Sequence, residues 1–260
     1  MIDIGINLAS DSFDNDREQV IQDGLEAGVS FFILTGSCPK SNTAVKAFAH
    51  KHSDITRATA GIHPHHADDV TNSVIADVRT HCEDPLVAAV GETGLDFFRD
   101  LSDRKKQQKA FEAHLQIAIE LQKPIFLHQR ESHDTFLPII KEYRDQLTKA
   151  VVHCFTDEKR ALYDYLDLDL HIGITGWIAD ERRGTHLVPL VADIPWNRLM
   201  IETDGPYLLP RNIRPKPKSR RNEPKYLPYV AAKVAESRQV EVSKVIEETT
   251  RTAKEFFNIP

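Results

Sequence analysis

Short apolar runs alternate with longer amphipathic stretches along the whole chain, which is the pattern of repeated βα units. Ile2–Leu8, Val29–Leu34, Thr56–Ile62, Leu86–Val90, Pro124–Leu127, Ala150–Val152, Leu170–Ile174 and Arg198–Ile201 read as strands. Helical sequence separates most of them. One stretch ends near Gly24 or Gly28, and another follows a start signal at Pro39. Residues 103–122 place Phe111, Leu115, Ala118 and Ile119 at helical spacing, with Asp103 suited to the first turn. A last helix carries Val242, Val245, Ile246, Thr249, Phe256 and Phe257 on one face. Eight strands spread over 260 residues, with no break in composition, predict one domain over 1–260, a closed (β/α)₈ TIM barrel. An open doubly wound sheet would usually carry a glycine fingerprint after its first strand, and the residues from Asn7 to Ser12 form none.

Composition narrows this reading. With 41% hydrophobic and 28% charged residues, the chain can bury a full core, so wholesale disorder is excluded. No apolar run approaches the roughly 18–20 residues that a bilayer span needs. The opening residues show neither a basic nor an apolar leader region, and Cys38, Cys82 and Cys154 are scattered without a CxxC pair. Both features point to reduced thiols and a cytoplasmic setting. Net charge is −6, which argues against a protein that coats polyanions. The charge is uneven, however. Arg211, Arg214, Lys216, Lys218, Arg220, Arg221 and Lys225 face only Glu223 in residues 211–225, making that loop +6 and the rest of the chain −12. Such a loop suits one phosphate-bearing end, although a solvated basic loop is an equally plain reading of the charge.

Barrel active sites lie at the C-terminal ends of the strands, where side chains converge. Those ends carry Asn7, Thr35, His63, Glu92, His128, His153, Thr175 and Asp204. A single histidine there is usually a satisfied core residue. Two carboxylates and three imidazoles converging on one small volume would each cost several kcal/mol if buried unpaired, and a divalent cation offsets that cost. A metal-dependent hydrolase is the expected chemistry. Phe97, Phe98 and Trp177 follow strand ends and could stack on a base, worth about 1–3 kcal/mol each, or cap the core. His50, His52, His81, His114 and His186 read as surface residues, and Cys154 as packing.

The motifs Gly61-Ile-His-Pro-His65, Gly91-Glu-Thr-Gly-Leu-Asp96, Phe126-Leu-His-Gln-Arg130, Val152-His-Cys-Phe155, Ile201-Glu-Thr-Asp-Gly-Pro-Tyr207 and Arg221-Asn-Glu-Pro224 resemble the signatures of the TatD family of metal-dependent deoxyribonucleases. The resemblance runs from the first strand to the last helix. It implies an amidohydrolase-like barrel and a 3′–5′ exonuclease acting on single-stranded DNA ends, with RNA as a second candidate. By matching position, Glu92, His128 and His153 would be metal ligands, and Asp204 a ligand or general base. His63 would contact substrate or the attacking water. Substrate contacts are expected from His63, His65, Arg130, Arg220, Arg221, Asn222, Phe97 and Trp177. The resemblance implies Mg²⁺ or Mn²⁺, while imidazole ligands also suit Zn²⁺. Nothing calls for a protein partner or a membrane.

Family members usually place a His-x-His pair at the end of the first strand, where this chain has Gly5 and Asn7. One tightly held cation is therefore expected, with a second position weak, and restoring the pair is expected to raise metal stoichiometry provided Gly5 does not need a glycine-only conformation. Two rivals share the barrel chemistry: hydrolysis of a small amide or ester, and hydrolysis of aminoacyl-tRNA. A non-catalytic nucleic-acid binder would require the metal cluster to be vestigial.

Overall fold

The computed structural model describes residues 1–260. Eight parallel strands follow one another around a single sheet: β1 (Ile2–Ile6), β2 (Phe31–Leu34), β3 (Thr56–Ala60), β4 (Val87–Asp96), β5 (Ile125–Arg130), β6 (Ala150–Val152), β7 (His171–Ile174) and β8 (Leu199–Ile201). Every expected strand is present. β4 runs further than its apolar core suggests, so the Gly91–Asp96 motif is strand and not loop, with a register shift between Val90 and Thr93. The sheet closes only at its C-terminal end. There the Asn7 N–H donates to the Gly205 carbonyl and the Asp204 N–H to the Gly5 carbonyl, both at 2.8 Å. The nearly closed (β/α)₈ barrel is therefore sealed beside the residues that carry chemistry.

Helices α1 (Arg17–Glu26), α2 (Pro39–Lys51), α3 (Asn72–Glu83), α4 (Arg104–Leu121), α5 (His133–Tyr143), α6 (Lys159–Asp167), α7 (Leu187–Leu190), α8 (Leu227–Arg238) and α9 (Val242–Phe257) surround the strands. Asp103 is the N-cap of α4, its side chain accepting from the Lys105 and Lys106 N–H groups at 3.0 Å. The inward residues Ile2, Ile4, Phe31, Ile33, Ala89, Phe126, Val151 and Met200 fill the barrel, and Phe256, Phe257 and Ile259 from the end of α9 plug its N-terminal mouth. The apolar face expected for the last helix thus has a definite role. No helix is long and apolar enough to cross a membrane.

His114 corrects the sequence reading of a surface residue, because it is fully buried on α4. Its Nε2 accepts the Ile62 N–H at 3.0 Å and its Nδ1 donates to the Ala110 carbonyl at 2.6 Å, which fixes one neutral tautomer. Burial pushes its pKa down to about 4, and it does the same to His171 at the foot of β7. The unfolded chain, with histidines near 6.5, therefore takes up protons first as pH falls. Stability present above pH 6.5 should be lost between about 6.5 and 4, by roughly 3 kcal/mol per histidine at the lower limit. Urea unfolding at pH 7 and pH 5 checks this. The gap between the two midpoints should narrow in His114→Gln, and an unchanged gap would contradict the assignment.

Candidate metal-dependent active site

Four strand ends deliver the central cluster. Glu92 on β4 is almost fully buried, and its Oε1 lies 3.1 Å from His128 Nδ1 (β5), 2.8 Å from His153 Nε2 (after β6) and 3.4 Å from His63 Nε2 (after β3). Around a cation with bonds of about 2.0–2.2 Å, neighbouring ligand atoms sit about 3.0–3.5 Å apart. The observed spacing matches that value. The electrostatics agree. Burial would raise Glu92, but the imidazoles of His63 and His153 and the bonds from His128 and His153 hold it well below the usual carboxylate range. Burial would lower His153 and His128, yet Glu92 and Glu202 push the first well up, and Asp96 and Glu92 push the second up. The pocket therefore favours positive charge at its centre, which a divalent cation supplies.

His63, Glu92 and His128 offer ligand atoms within 4.8 Å of one another, whereas His153 reaches this cluster through Glu92, at 2.8 Å. The His65 backbone N–H donates to His63 Nδ1 at 3.1 Å, so a neutral His63 carries its proton on Nε2. A protonated nitrogen cannot ligate a metal. Burial holds the His63 pKa well below 6.5, which keeps the ring neutral and its Nε2–H pointing into the site as a donor. The expected ligands Glu92, His128 and His153 are all at this cluster, with His63 beside them.

Asp204, at the end of β8, is fixed by a hydrogen bond from Asn7 Nδ2 at 2.8 Å. Burial raises its pKa to about 7, with Glu92 and Glu202 adding to the rise and His153 and Asn7 opposing it. Asn7 thus serves as a donor that orients Asp204.

Several residues expected to touch substrate are engaged otherwise. Asn222 is fully buried and donates to the Thr203 carbonyl at 2.8 Å, so it braces the β8 loop. Arg221 pairs with Asp16 at 2.6 Å and Glu223 at 3.0 Å and donates to the Ser12 carbonyl, stapling the loop to the segment before α1. Arg211 and Lys225 are likewise paired, with Glu181 and with Asp23 and Glu223. Arg214, Lys216, Lys218 and Arg220 are the solvent-facing cations of this loop without ion pairs, Arg214 donating only to the Arg211 and Ile213 carbonyls. His65 Nε2 meets Asp96 Oδ2 at 2.7 Å, so its ring is occupied as well. Phe97 packs against the core under the Arg104 guanidinium, and the neighbouring Phe98 is the exposed ring.

The rim does bring the other aromatics together. Arg130 lies 4.0 Å from the Phe98 ring and 5.5 Å from the Trp177 ring, and Arg183 lies 4.2 Å over the far side of Trp177. Ring and guanidinium alternate across the mouth from β4 to β7, a surface suited to stacking. Tyr207, 59% exposed, follows Asp204 closely in the chain, and its backbone N–H donates to the Asp204 carbonyl at 3.0 Å.

Two buried carboxylates were not singled out from the sequence. Asp96 is four residues beyond Glu92 on β4 and holds both His65 and, at 3.4 Å, His128 Nε2. Glu202 lies beneath His153. Both fall inside the motifs quoted above, and the two-residue alternation of an extended chain puts Glu202 level with Asp204.

Comparison with known proteins agrees with this geometry. A family model described as TatD related DNase matches residues 2–258. A relative from Erwinia tasmaniensis, named 3'-5' ssDNA/RNA exonuclease TatD, is 45% identical over 259 residues, with 100% of each chain covered. Its counterpart of the same name from Erwinia amylovora is 44% identical over 259 residues, again with 100% of each covered. The solved YJJV, a TatD homologue from Escherichia coli K12, superposes with a TM-score of 0.91 at 25% identity, covering 100% of this chain and 98% of that one. The chain belongs to the family of TatD-related DNases.

Proposed function

We propose that this protein is a divalent-metal-dependent 3′–5′ exonuclease that hydrolyses phosphodiester bonds of single-stranded DNA and RNA. The observation that carries the reading is the Glu92 oxygen ringed by three imidazole nitrogens at 2.8–3.4 Å, in a chain matched end to end by relatives named as such exonucleases. Glu92, His128 and His153 would hold the cation, and Asp204 would stand beside it. The donor set suits Mn²⁺ and Zn²⁺, and the family resemblance adds Mg²⁺. When bound, such an ion polarises a phosphate oxygen and makes water more acidic.

The chain's own groups supply the rest. Asp204 accepts the proton of the attacking water, held in place by the Asn7 amide and kept ionised by the neighbouring cation. His63 donates its Nε2–H to a phosphate oxygen, which is why its other nitrogen is held as an acceptor. The stacked rim of Phe98, Arg130 and Trp177 holds unpaired bases, and Lys216, Lys218 and Arg220 meet backbone phosphates further out. A mouth of this kind admits a frayed end and not an intact duplex. The amide, ester and aminoacyl-tRNA readings rest on the barrel chemistry alone.

The test is a digestion panel of single-stranded DNA, blunt duplex and RNA, labelled at either end, with Mg²⁺, Mn²⁺, Zn²⁺ or EDTA. A ladder that shortens from the 3′ end of single strands, and is abolished by EDTA, is the expected result. Shortening from the 5′ end, or hydrolysis of amides without nucleolysis, would sink the proposal.

Two further outcomes follow from the rim and the loop. Phe98→Ala with Trp177→Ala should raise KM for oligonucleotides about 5- to 150-fold for each base that loses its platform, and leave a small chromogenic phosphodiester nearly unaffected. Equal losses on both substrates would remove the stacking role. Arg221→Ala should lower stability by about 1–2 kcal/mol, measured by urea unfolding, because its partly shielded ion pairs are structural. Changing Lys216, Lys218 and Arg220 together should instead flatten the salt dependence of binding, by a slope of about 0.7 per lost single-strand contact.

A further inference from the structure

Below the ligand cluster, three strands leave a niche shaped for one carboxylate. Glu202, the residue after β8, has no solvent exposure. Its Oε1 accepts the Cys154 N–H at 2.6 Å and its Oε2 meets His153 Nδ1 at 3.3 Å. The niche exists because its walls lack side chains. A Cβ at Gly5 on β1 would overlap Glu202 Oε2, and a Cβ at Gly173 on β7 would sit 2.6 Å from Oε1. The same Gly5 carbon would approach Phe126, whose ring stacks on His153 with centroids 4.5 Å apart. His153 is thus held at one nitrogen by Glu202, on its face by Phe126, and at the other nitrogen by Glu92 at 2.8 Å. The residue after it, Cys154, has φ of 47°, a left-handed conformation rare for a side chain of its kind, and Glu202 receives the N–H of that turn.

We infer that Glu202 is a positioning residue that fixes the tautomer and aim of His153, in the niche that Gly5 and Gly173 leave open. The inference rests on the reading of His153 as a metal ligand. As an acceptor at Nδ1, the carboxylate keeps the ring proton there and frees the Nε2 lone pair for the cation. It accepts at both oxygens and donates at neither. An amide cannot do that. In Glu202→Gln, an NH₂ group must face either His153 Nδ1, which drives the ring proton to Nε2, or the Cys154 N–H, which opposes donor to donor. Gly5→Ala displaces the same carboxylate from the other side, its Cβ overlapping Oε2 far more closely than it approaches the Phe126 ring.

The experiment measures Mn²⁺ affinity by calorimetry on chelated, refilled full-length protein, for wild type, Glu202→Gln, Gly5→Ala and the double variant. Each single change should weaken binding about 10- to 100-fold, the usual effect of losing a partner that orients a ligating histidine. The double variant should be no weaker than the worse single one, because both act through one contact. Nitrogen-15 spectra of the Zn²⁺-loaded protein supply a readout that a loss of packing would not produce. Wild type should show His153 protonated at Nδ1, and Glu202→Gln should lose that signal. Equal Mn²⁺ affinity in wild type and Glu202→Gln, or an unchanged His153 spectrum, overturns the inference alone. A wild-type protein that binds no cation overturns the metal reading and the inference with it.

Discussion

Glu92→Gln should remove nearly all turnover, by about a thousandfold or more, and leave the circular dichroism spectrum unchanged. Glu92 is the one carboxylate shared by the three imidazoles that ring the site, and on the proposed function its charge would hold the cation. A neutral amide of the same shape keeps the packing and gives up the charge. The Lewis-acid contribution at stake is several kcal/mol, and about 4 kcal/mol corresponds to three orders of magnitude in rate. Initial rates on a 5′-labelled single strand over a range of metal concentrations check this. Turnover within tenfold of wild type at saturating metal would take Glu92 out of the site.

The first strand gives the second large effect, and here the structure reverses an expectation. Sequence comparison with the family makes Gly5→His with Asn7→His look like the restoration of a metal-binding pair. In the barrel, any side chain at Gly5 overlaps the Glu202 carboxylate, which is wholly buried and already bonded to Cys154 and His153. Asn7 is engaged in orienting Asp204. The double substitution should therefore lower metal affinity and cost about 3 kcal/mol or more, through overpacking and disruption of a buried charged contact. For a chain of this size that is a fall in Tm of about 6–12 °C. A stable variant that binds two cations where wild type binds one would restore the original expectation.

The barrel was legible because each strand is a short apolar run that stops at a residue with chemistry, and eight repeats leave few other folds. His128 and His153 follow their runs directly, while Glu92 and Asp204 stand two and three residues past the ends of theirs. Glu202 was hidden in plain view. It sits beside the apolar Ile201 and reads as one more polar residue after a strand, and only the facing glycines Gly5 and Gly173 on the two flanking strands reveal its niche. His114 could have been found. It shares the α4 stripe with Phe111, Leu115 and Ala118, all buried, yet a histidine on a charged helix reads by type as a surface residue. Which cations of the basic loop are paired could not be read from the sequence, because net charge says nothing about partners. The partner of Arg221 is Asp16, distant along the chain and in contact only once the barrel closes. Helix α8 was missed since Pro228 falls in its first turn, where proline is tolerated, and its apolar face is weakly marked.

The central claim is that one cation, held by Glu92, His128 and His153, is what makes this barrel a nuclease. Titrating chelated protein with Mn²⁺ while following bound metal and 3′-end shortening in the same samples tests it most directly. Activity should rise in step with the filling of one tight site per chain, and Glu92→Gln should lose both together. Full activity in the metal-free protein, or a tight site that fills unchanged in Glu92→Gln, would contradict it.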